Sequence, residues 1–454
     1  MTSVGEHSYD VAIVGAGAAG LAAAIFTGRA RSRSIALLDG AKKPGAKILV
    51  SGGSRCNVTN TTVTEADFWG GRSAIVRRVL RAFTADDASA FFREIGVSLH
   101  EEAGGKLFPD TNRARDVLDA LLREASAVGA TLFAGHRVID VIRLPAVRAA
   151  GGKPAFDEAR DGREALEGPD TTSGSAPGGG FRIVTSRGEM RAGAVVLATG
   201  GQSLPKTGSD GVGFGIAERL GHTIVPPTPA LAPLILANED ALHQKLSGVS
   251  QDVELAVWID GTVRLRLAGS LLWTHFGVSG PVALNVSRHW LRAQIEGRRA
   301  AITANFRPGD TFDGVDADWT RRARAQPTVS VHKTLAATMP ASLAAALLSH
   351  LAIDGTATLA HLSRDDRRRL ARALVEWPLP VIGTRGYSFA EATAGGIALT
   401  EIYPSTMESR VCPGVFLIGE ILDVDGRIGG FNFQWAWSTG FVAGRALGVG
   451  AARA

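Results

Sequence analysis

A chain of 454 residues with 45% hydrophobic and 20% charged residues is globular rather than disordered, and long enough for two or three domains. Its two cysteines, Cys56 and Cys412, rule out a disulfide scaffold, and no His/Cys/Asp/Glu cluster has zinc or iron–sulfur spacing, so no metal is expected. A net charge of +5 with pI near 9.4 is a mild excess at this length, accounted for by solvated faces of mixed charge such as Arg364 to Arg369.

Taken in chain order, Asp10 to Val14 reads as a short apolar strand. Gly15-Ala-Gly-Ala-Ala-Gly20 follows at once, then an Ala-rich helix to Arg29 and a second strand, Ser34 to Leu38, ending at Asp39. In such a βαβ unit Gly15 permits the tight turn, Gly17 lets the backbone approach a pyrophosphate, and Gly20 lets helix and strand pack closely. Ala18 and Ala19 then supply helix N-terminal N–H groups to the phosphates. Asp39 lies 19 residues after Gly20, where a carboxylate can accept from a ribose hydroxyl. It is followed by Gly40-Ala-Lys-Lys43, with no Arg at the usual place, so an unphosphorylated ribose is expected. The motif alone does not separate NAD from FAD.

Residues 44–60 form a glycine-rich polar loop carrying Lys47, Ser54, Arg55, Cys56 and Asn57. The donors of Arg55 and Asn57 suit pyrophosphate or flavin edge oxygens. Cys56 has no CxxC partner and reads as a packed thiol. Helical patterns follow at about 73–95 and 111–128, then a strand from Thr131 to Leu144 that carries Val138. Residues 145–180, rich in Ala, Gly, Pro, Asp and Ser, read as a flexible insertion between two strands. Strands resume at Phe181 to Thr185 and Met190 to Ala198, the second closed by Thr199-Gly200-Gly201.

The middle changes character. Alternating stretches such as Val253 to Ile259 and Val263 to Leu267 predict antiparallel strands of a barrel or sandwich. Residues 313–376 read as several helices, and strand patterns return at 378–402. Near the end, Val415 to Ile418 is a strand that delivers Gly419-Glu420. Gly429-Gly430 permits close backbone approach, Phe431 follows, and a helix runs from Asn432 to about Leu447. The positive end of that helix would favour a negatively charged group. No second GxGxxG follows a strand, so no separate nicotinamide-binding domain is expected. No Ser/His/Asp or paired-carboxylate arrangement points to hydrolysis. Apolar stretches fall short of the roughly 18 residues a span needs, and residues 1–9 lack a signal-peptide pattern, so a cytoplasmic protein with no membrane partner is expected.

At this point the residues resemble a known family, the BaiN/YhiN-type bacterial flavoproteins, described as NAD(P)/FAD-dependent or aminoacetone oxidase-like. The matching blocks are the glycine turn, Ser51-Gly-Gly-Ser-Arg-Cys-Asn-Val-Thr-Asn60, Lys106-Leu-Phe-Pro109 and Ala198-Thr-Gly-Gly201 with Pro205-Lys-Thr-Gly-Ser209. Gly277-Val-Ser-Gly-Pro281, Thr406-Met-Glu-Ser409 and Gly419-Glu-Ile-Leu-Asp-Val-Asp-Gly426 through Asn432 complete them. Two departures stand out: the 145–180 segment is longer, and Ser54 stands where the family pattern has glycine.

The resemblance implies an α/β protein with a glutathione-reductase-like FAD-binding Rossmann domain, an inserted antiparallel β-barrel and a small helical subdomain. Residues 1–202 and 391–454 would form the FAD-binding domain. Residues 203–390 would be the insertion, with its helices at about 313–376. It implies an FAD-dependent oxidoreductase acting on a small organic substrate, either amine oxidase-like or reductase-like, with reduced pyridine nucleotide as a transient visitor to the flavin. Glu420 would contact the ribityl–phosphate portion, with Asp423 and Asp425 as alternatives. Val138 would lend backbone groups to adenine, and Thr199 and Gly200 would pass near the cofactor. Lys106, Phe108, Lys206 and His275 are candidates for the substrate pocket. The residues assign no catalytic group. A competing reading is an RNA-binding flavoprotein akin to the FAD proteins that modify tRNA, which the basic helices motivate and the lack of an aromatic-interleaved basic strip disfavours.

Overall fold

The computed structural model describes residues 8–145, 179–238 and 242–449. Ser8–Val14 is buried without alternation from Val11 to Val14, as a central parallel strand covered on both faces must be. It pairs in parallel with Ile35–Asp39 on one side and with Gly188–Leu197 on the other. Ala130–Ala134 adds outside Ile35–Asp39, and Val415–Leu417, from near the chain's other end, adds outside Gly188–Leu197. These five strands form one parallel sheet. Phe181–Thr185 and Val138–Arg143 extend it in antiparallel fashion.

The first and last helices lock the two ends of the chain together. Ala18–Ala30 lies against Phe431–Val449, which presents Gly440, Gly444 and Gly448 at four-residue spacing. A Cβ at Gly440 would stand 2.7 Å from the Ala22 Cβ, and one at Gly444 would stand 2.7 Å from the Phe26 Cβ. The two backbones are therefore in contact along one stripe.

Several elements differ from the sequence pattern. The strand expected at 131–144 is two strands, broken at Gly135, whose φ of +72° turns the chain. The helical pattern at 73–95 is Ser73–Ala82 and Ala85–Glu94, separated where Thr84 and Asp87 close a reciprocal capping box. The loop expected at 44–60 contains a helical turn from Ala46, which Ser51, Gly52 and Gly53 leave with non-helical φ/ψ. Residues 146–178, and with them most of the expected flexible insertion, lie outside the described residues.

The middle segment builds a second sheet and a second core. Ser250–Ile259 and Thr262–Thr274 form a hairpin, turned by Asp260 and Gly261 at φ +52° and +78°. Seven strands follow the order Trp377–Leu379, Ala300–Asn305, Ser250–Ile259, Thr262–Thr274, Gly277–Ser279, Leu234–Leu236, Val381–Thr384. The first and last of that order are consecutive in the chain, with Pro380 between them. Val253, Trp273, Val286 and Ile302 pack in this core, which the helices Phe312–Ala325, Ala341–His350 and Arg364–Val375 complete with Val315, Leu343 and Leu370. Two antiparallel strands, Ile224–Ala230 and Ala392–Ile397, join the two bodies.

Candidate functional site

Val14, Leu38, Leu197 and Leu417 stand in register across four neighbouring parallel strands. Gly15, Asp39, Thr199 and Gly419, all expected on sequence grounds, therefore gather along one edge, at the carboxyl ends of the strands. Open α/β sheets bind ligands at that edge. Gly15 has φ +108° and a Cβ there would strike the Ala198 carbonyl; a Cβ at Gly20 would strike the Gly15 carbonyl. Gly17 differs: nothing lies within 4 Å of its would-be Cβ, and no side chain caps the helix it begins. The N–H groups of Ala18 and Ala19 thus open a helix whose positive end faces free space, which suits a pyrophosphate. The Asp39 carboxylate is aimed by two backbone donors, Ala16 N–H at 2.9 Å to Oδ2 and Ala41 N–H at 2.8 Å to Oδ1. Its remaining lone pairs suit a ribose hydroxyl. The residues present fit a dinucleotide.

Lys47 and Glu420 meet beside this edge. Lys47 Nζ lies 2.7 Å from Glu420 Oε2 and 2.6 Å from Ser203 Oγ. Glu420 Oε1 accepts from Ser203 Oγ at 2.7 Å and from Thr393 N–H at 3.1 Å. Four segments remote in sequence are thereby tied at one carboxylate. Gly200, at φ +72°, leads from Thr199 into this cluster, and a Cβ at Gly201 would press on Thr393 and Glu420.

At the far end of the edge, Gly429 and Gly430 adopt φ +125° and +95° and start the closing helix. Asn60 Nδ2 donates to the Gly429 carbonyl at 3.1 Å. Oriented to satisfy its neighbours, the Asn57 amide donates to Thr59 O at 2.8 Å and accepts from Gly430 N–H at 3.2 Å. The Asn432 side chain closes two hydrogen bonds on Gly426, accepting its N–H at 2.8 Å and donating to its carbonyl at 3.0 Å. Phe431 is buried beneath the Arg427 guanidinium.

The remaining expected residues divide. Arg55 pairs with Glu102 at 2.6 Å and stacks 4.1 Å above the Phe108 ring, and it holds the Glu102 carboxyl below the usual range. Cys56 is wholly buried and its thiol is pushed up to about 12 by that burial, so it is no nucleophile. Ser54 takes the left-handed region, φ +67°, where the family pattern has glycine. Val138 is buried opposite Thr185. Lys106 is half-buried on a strand paired with Asn60, which brings it to the glycine-pair end. Lys206 is exposed on the turn Pro205–Thr207, and His275 is exposed and edge-on to Phe276.

Sequence reasoning missed the partners contributed by the helix Pro281–Ile295. Arg288 Nη1 lies 2.9 Å from Asp425 Oδ1, with the two side chains 8% and 1% exposed. The contact has ion-pair distance but lacks hydrogen-bond alignment, and neither Asp425 oxygen has another partner among the described residues. Burial pushes the Asp425 carboxyl up to about 6 despite the pull of Arg288. Next to Arg288, the His289 imidazole is held down to about 3 by burial and by that guanidinium. Asn285 Oδ1 accepts from Ile428 N–H at 2.8 Å, one residue before the glycine pair. Nothing in the sequence pattern links residues 285–289 to 423–428, because the contact is made only when the middle segment folds back.

Among the described residues no group of three or more His, Cys, Asp or Glu could hold a metal, and no helix is long and apolar enough to cross a membrane. A crevice walled by Trp273, His350 and Trp377 lies in the middle segment and shares no residue with the glycine edge.

The chain matches the model of the HI0933-like protein Rossmann domain over residues 9–149 and 171–446. It is 32% identical over 444 residues to the ribosomal RNA dihydrouridine synthase of Escherichia coli, covering 97% of this chain and 98% of that protein. It is 30% identical over 437 residues to the 3-dehydro-bile acid delta(4,6)-reductase of Clostridium scindens, covering 96% and 98%. The ribosomal RNA dihydrouridine synthase of Haemophilus influenzae is 29% identical over 436 residues, covering 96% and 97%. With the glycine edge, the returning C-terminal strand and this full-length match together, the chain belongs to the HI0933-like Rossmann family and is an FAD-dependent oxidoreductase.

Proposed function

We propose that the chain reduces a carbon–carbon double bond conjugated to a carbonyl. The observation that carries this reading is the edge itself: an open pyrophosphate cradle at Gly17 and a glycine-opened helix at Gly430, with the Lys47–Glu420 pair beside it. A delta(4,6)-reductase of a 3-dehydro steroid and a dihydrouridine synthase share one chemistry in the words of their names: a conjugated double bond gains two hydrogens. Reduced FAD held along the edge would supply the electron pair as hydride. Asp39 would hold its ribose, Gly17 to Ala19 its pyrophosphate, and Gly429 and Gly430 would admit the ring edge to the N-terminus of the closing helix. Lys47 would fix the Glu420 side chain at the middle of the cofactor. Reduced pyridine nucleotide is read as a visitor, since the sequence carries no second dinucleotide motif.

Residues 203–390 are read as a domain inserted between the two parts of the FAD-binding domain, 1–202 and 391–454. Its strands are read as a barrel because Trp377–Leu379 and Val381–Thr384 border opposite ends of the sheet and are separated by one residue. The substrate would enter between the two domains.

One surface feature favours a nucleobase over a free small molecule. Arg385 lies 4.7 Å above Phe276 and 3.5 Å above Phe389, which is 46% exposed, and His275 adjoins Phe276. Aromatic and guanidinium planes interleaved in this way accept unstacked bases, and uracil contains a conjugated C=C–C=O.

The test is an anaerobic spectrum of FAD-loaded protein. NADH or NADPH should bleach the flavin, and a conjugated enone or a uridine-containing RNA should restore it without air. A flavin that neither nucleotide bleaches, but that an amine bleaches and air restores, overturns the reductase reading in favour of an oxidase. Salt-sensitive binding of oligouridylate, weakened by Arg385→Ala, separates the nucleobase from the small molecule.

A further inference from the structure

The segment from Asp425 to Gly430 is gripped from both bodies of the fold. On the side of the parallel sheet, Asp425 and Gly426 pair through their backbones with Trp69 and Phe68. Arg427 N–H donates to Asp67 O at 3.0 Å, and Asn60 Nδ2 donates to Gly429 O at 3.1 Å. From the middle segment, the helix Pro281–Ile295 reaches the same stretch. Asn285 Oδ1 accepts the Ile428 N–H at 2.8 Å, and Arg288 Nη1 lies 2.9 Å from Asp425 Oδ1. Leu284 joins Leu231, Ala392 and Ala394 in a small apolar cluster against which Ile428 packs. Leu284 and Asn285 are both neighbours of Arg288 on the helix surface, at i,i+4 and i,i+3. Arg288 also stands 5.7 Å above the Trp69 ring, and His289 meets that ring edge-on at 5.0 Å. The helix therefore touches both partners of the Asp425–Trp69 pairing.

These grips do not yield one at a time. Asp425 is 1% exposed, and neither of its oxygens has a hydrogen-bond partner among the described residues, so Arg288 is what compensates it. A helix that swung away would strand a buried carboxylate, which is strongly destabilising. One residue beyond Ile428, Gly429 and Gly430 hold φ +125° and +95°, and a Cβ at Gly430 would strike the Thr59 carbonyl oxygen at 2.4 Å. The backbone there has little room to absorb a displacement. A shift of Ile428 passes along the chain to Phe431, where the closing helix begins.

Resting on the reading that the glycine pair admits the flavin ring edge, we propose that Asn285 and Arg288 are positioning residues for the cofactor. Through Ile428 and Asp425 they fix the N-terminus of the closing helix against the ring, so that docking of the middle segment sets the reduction potential. A helix N-terminus stabilises negative charge close to it, and the effect fades within a turn. The reduced ring carries more negative charge than the oxidised ring, so a helix start drawn out of place favours the oxidised form.

The test uses the full chain loaded with FAD and reads its midpoint potential by dye-coupled reduction. Asn285→Ala removes the acceptor of the Ile428 N–H. Arg288→Gln combined with Asp425→Asn removes both buried charges at once and leaves neither unpaired. Each should lower the affinity for reduced relative to oxidised FAD by about threefold to tenfold, which makes the potential more negative by up to about 30 mV. Ser287→Ala is the control. On the same helix, Ser287 Oγ accepts from Ala232 N–H at 3.1 Å and donates to Leu284 O at 2.8 Å, so its bonds stay within the middle segment. It should lower the melting temperature and leave the potential unchanged. Gly429→Ala strains the helix start directly and should shift the potential however that start is held. If Gly429→Ala shifts it while Asn285→Ala and the double variant keep the parent's potential, the positioning role is overturned and the ring stays at the glycine pair. If Gly429→Ala also keeps the parent's potential, the placement of the ring fails and the proposal with it. Ser287→Ala shifting as far as Asn285→Ala would reduce the effect to general loosening and overturn the proposal alone.

Discussion

Gly440→Ala probes whether the seam between the first and last helices holds the cofactor edge together. The new methyl would stand 2.7 Å from the Ala22 Cβ and 2.8 Å from the Ala19 carbonyl oxygen, so the helices must part by several tenths of an ångström. Overpacking of this kind costs about 1–3 kcal/mol. The gain in helix propensity returns about 1 kcal/mol, which leaves a net loss of up to about 2 kcal/mol and a melting point lower by up to a few degrees. Ala19 is on the first turn of the helix that faces the pyrophosphate, and a Cβ at Gly419 would already stand 2.9 Å from the Ala19 Cβ. FAD affinity should therefore fall together with stability. Gly444→Ala, with its methyl 2.7 Å from the Phe26 Cβ, should add less than its own cost in the double variant, because the seam has already opened. Gly215→Ala is the control. It is helical too, but its Cβ would meet only the far end of the Arg219 side chain at 3.4 Å, so stabilisation by up to about 1 kcal/mol is expected. Thermal melts with and without FAD, together with calorimetric titration of FAD, give all these values. Gly440→Ala melting at or above the parent with unchanged FAD affinity would refute the argument.

Lys47→Met leaves the Glu420 carboxylate, 15% exposed, without its cation, and should cost about 1–3 kcal/mol; Glu420→Gln in the same chain should recover part of this in urea melts. Asp425, raised from 3.8 to about 6 in the folded protein, stabilises fully below about pH 4, and that contribution is lost as pH rises through about 6. Asp425→Asn should remove this slope, worth roughly 3 kcal/mol at most, from the difference between the two stability–pH curves. His289 acts in the opposite sense. It stays neutral down to about 3, so stability that is complete above about pH 6.5 is lost as pH falls through that window, and His289→Gln should flatten the loss. Both cysteines are buried with raised thiol pKa, so a disulfide reagent should label neither in the native protein and both in guanidinium.

The cradle was legible because its determinants are local. A tight turn, a helix start and a strand end are set by residues within one βαβ unit, so Gly15, Gly17, Gly20 and Asp39 could be read from spacing alone. The hairpin at Asp260-Gly261 was legible in principle for the same reason, since its left-handed turn belongs to a two-residue pattern. The break of the 131–144 strand at Gly135 was not, because a periodicity of two runs on across a three-residue turn.

The polar cluster of the site was decided only by tertiary structure. Lys47, Ser203, Thr393 and Glu420 come from four remote segments; Lys47 and Glu420 are expected near a cofactor on sequence grounds, but their pairing and the part taken by Ser203 and Thr393 are not. The same holds for Arg288 with Asp425. A charge acquires its chemistry from desolvation and from the charges that face it, and both are properties of the packed recess. The amino-acid sequence by itself determined that a dinucleotide is held at the ends of parallel strands. The way the middle segment folds back on that edge determined which carboxyl is paired and which is buried.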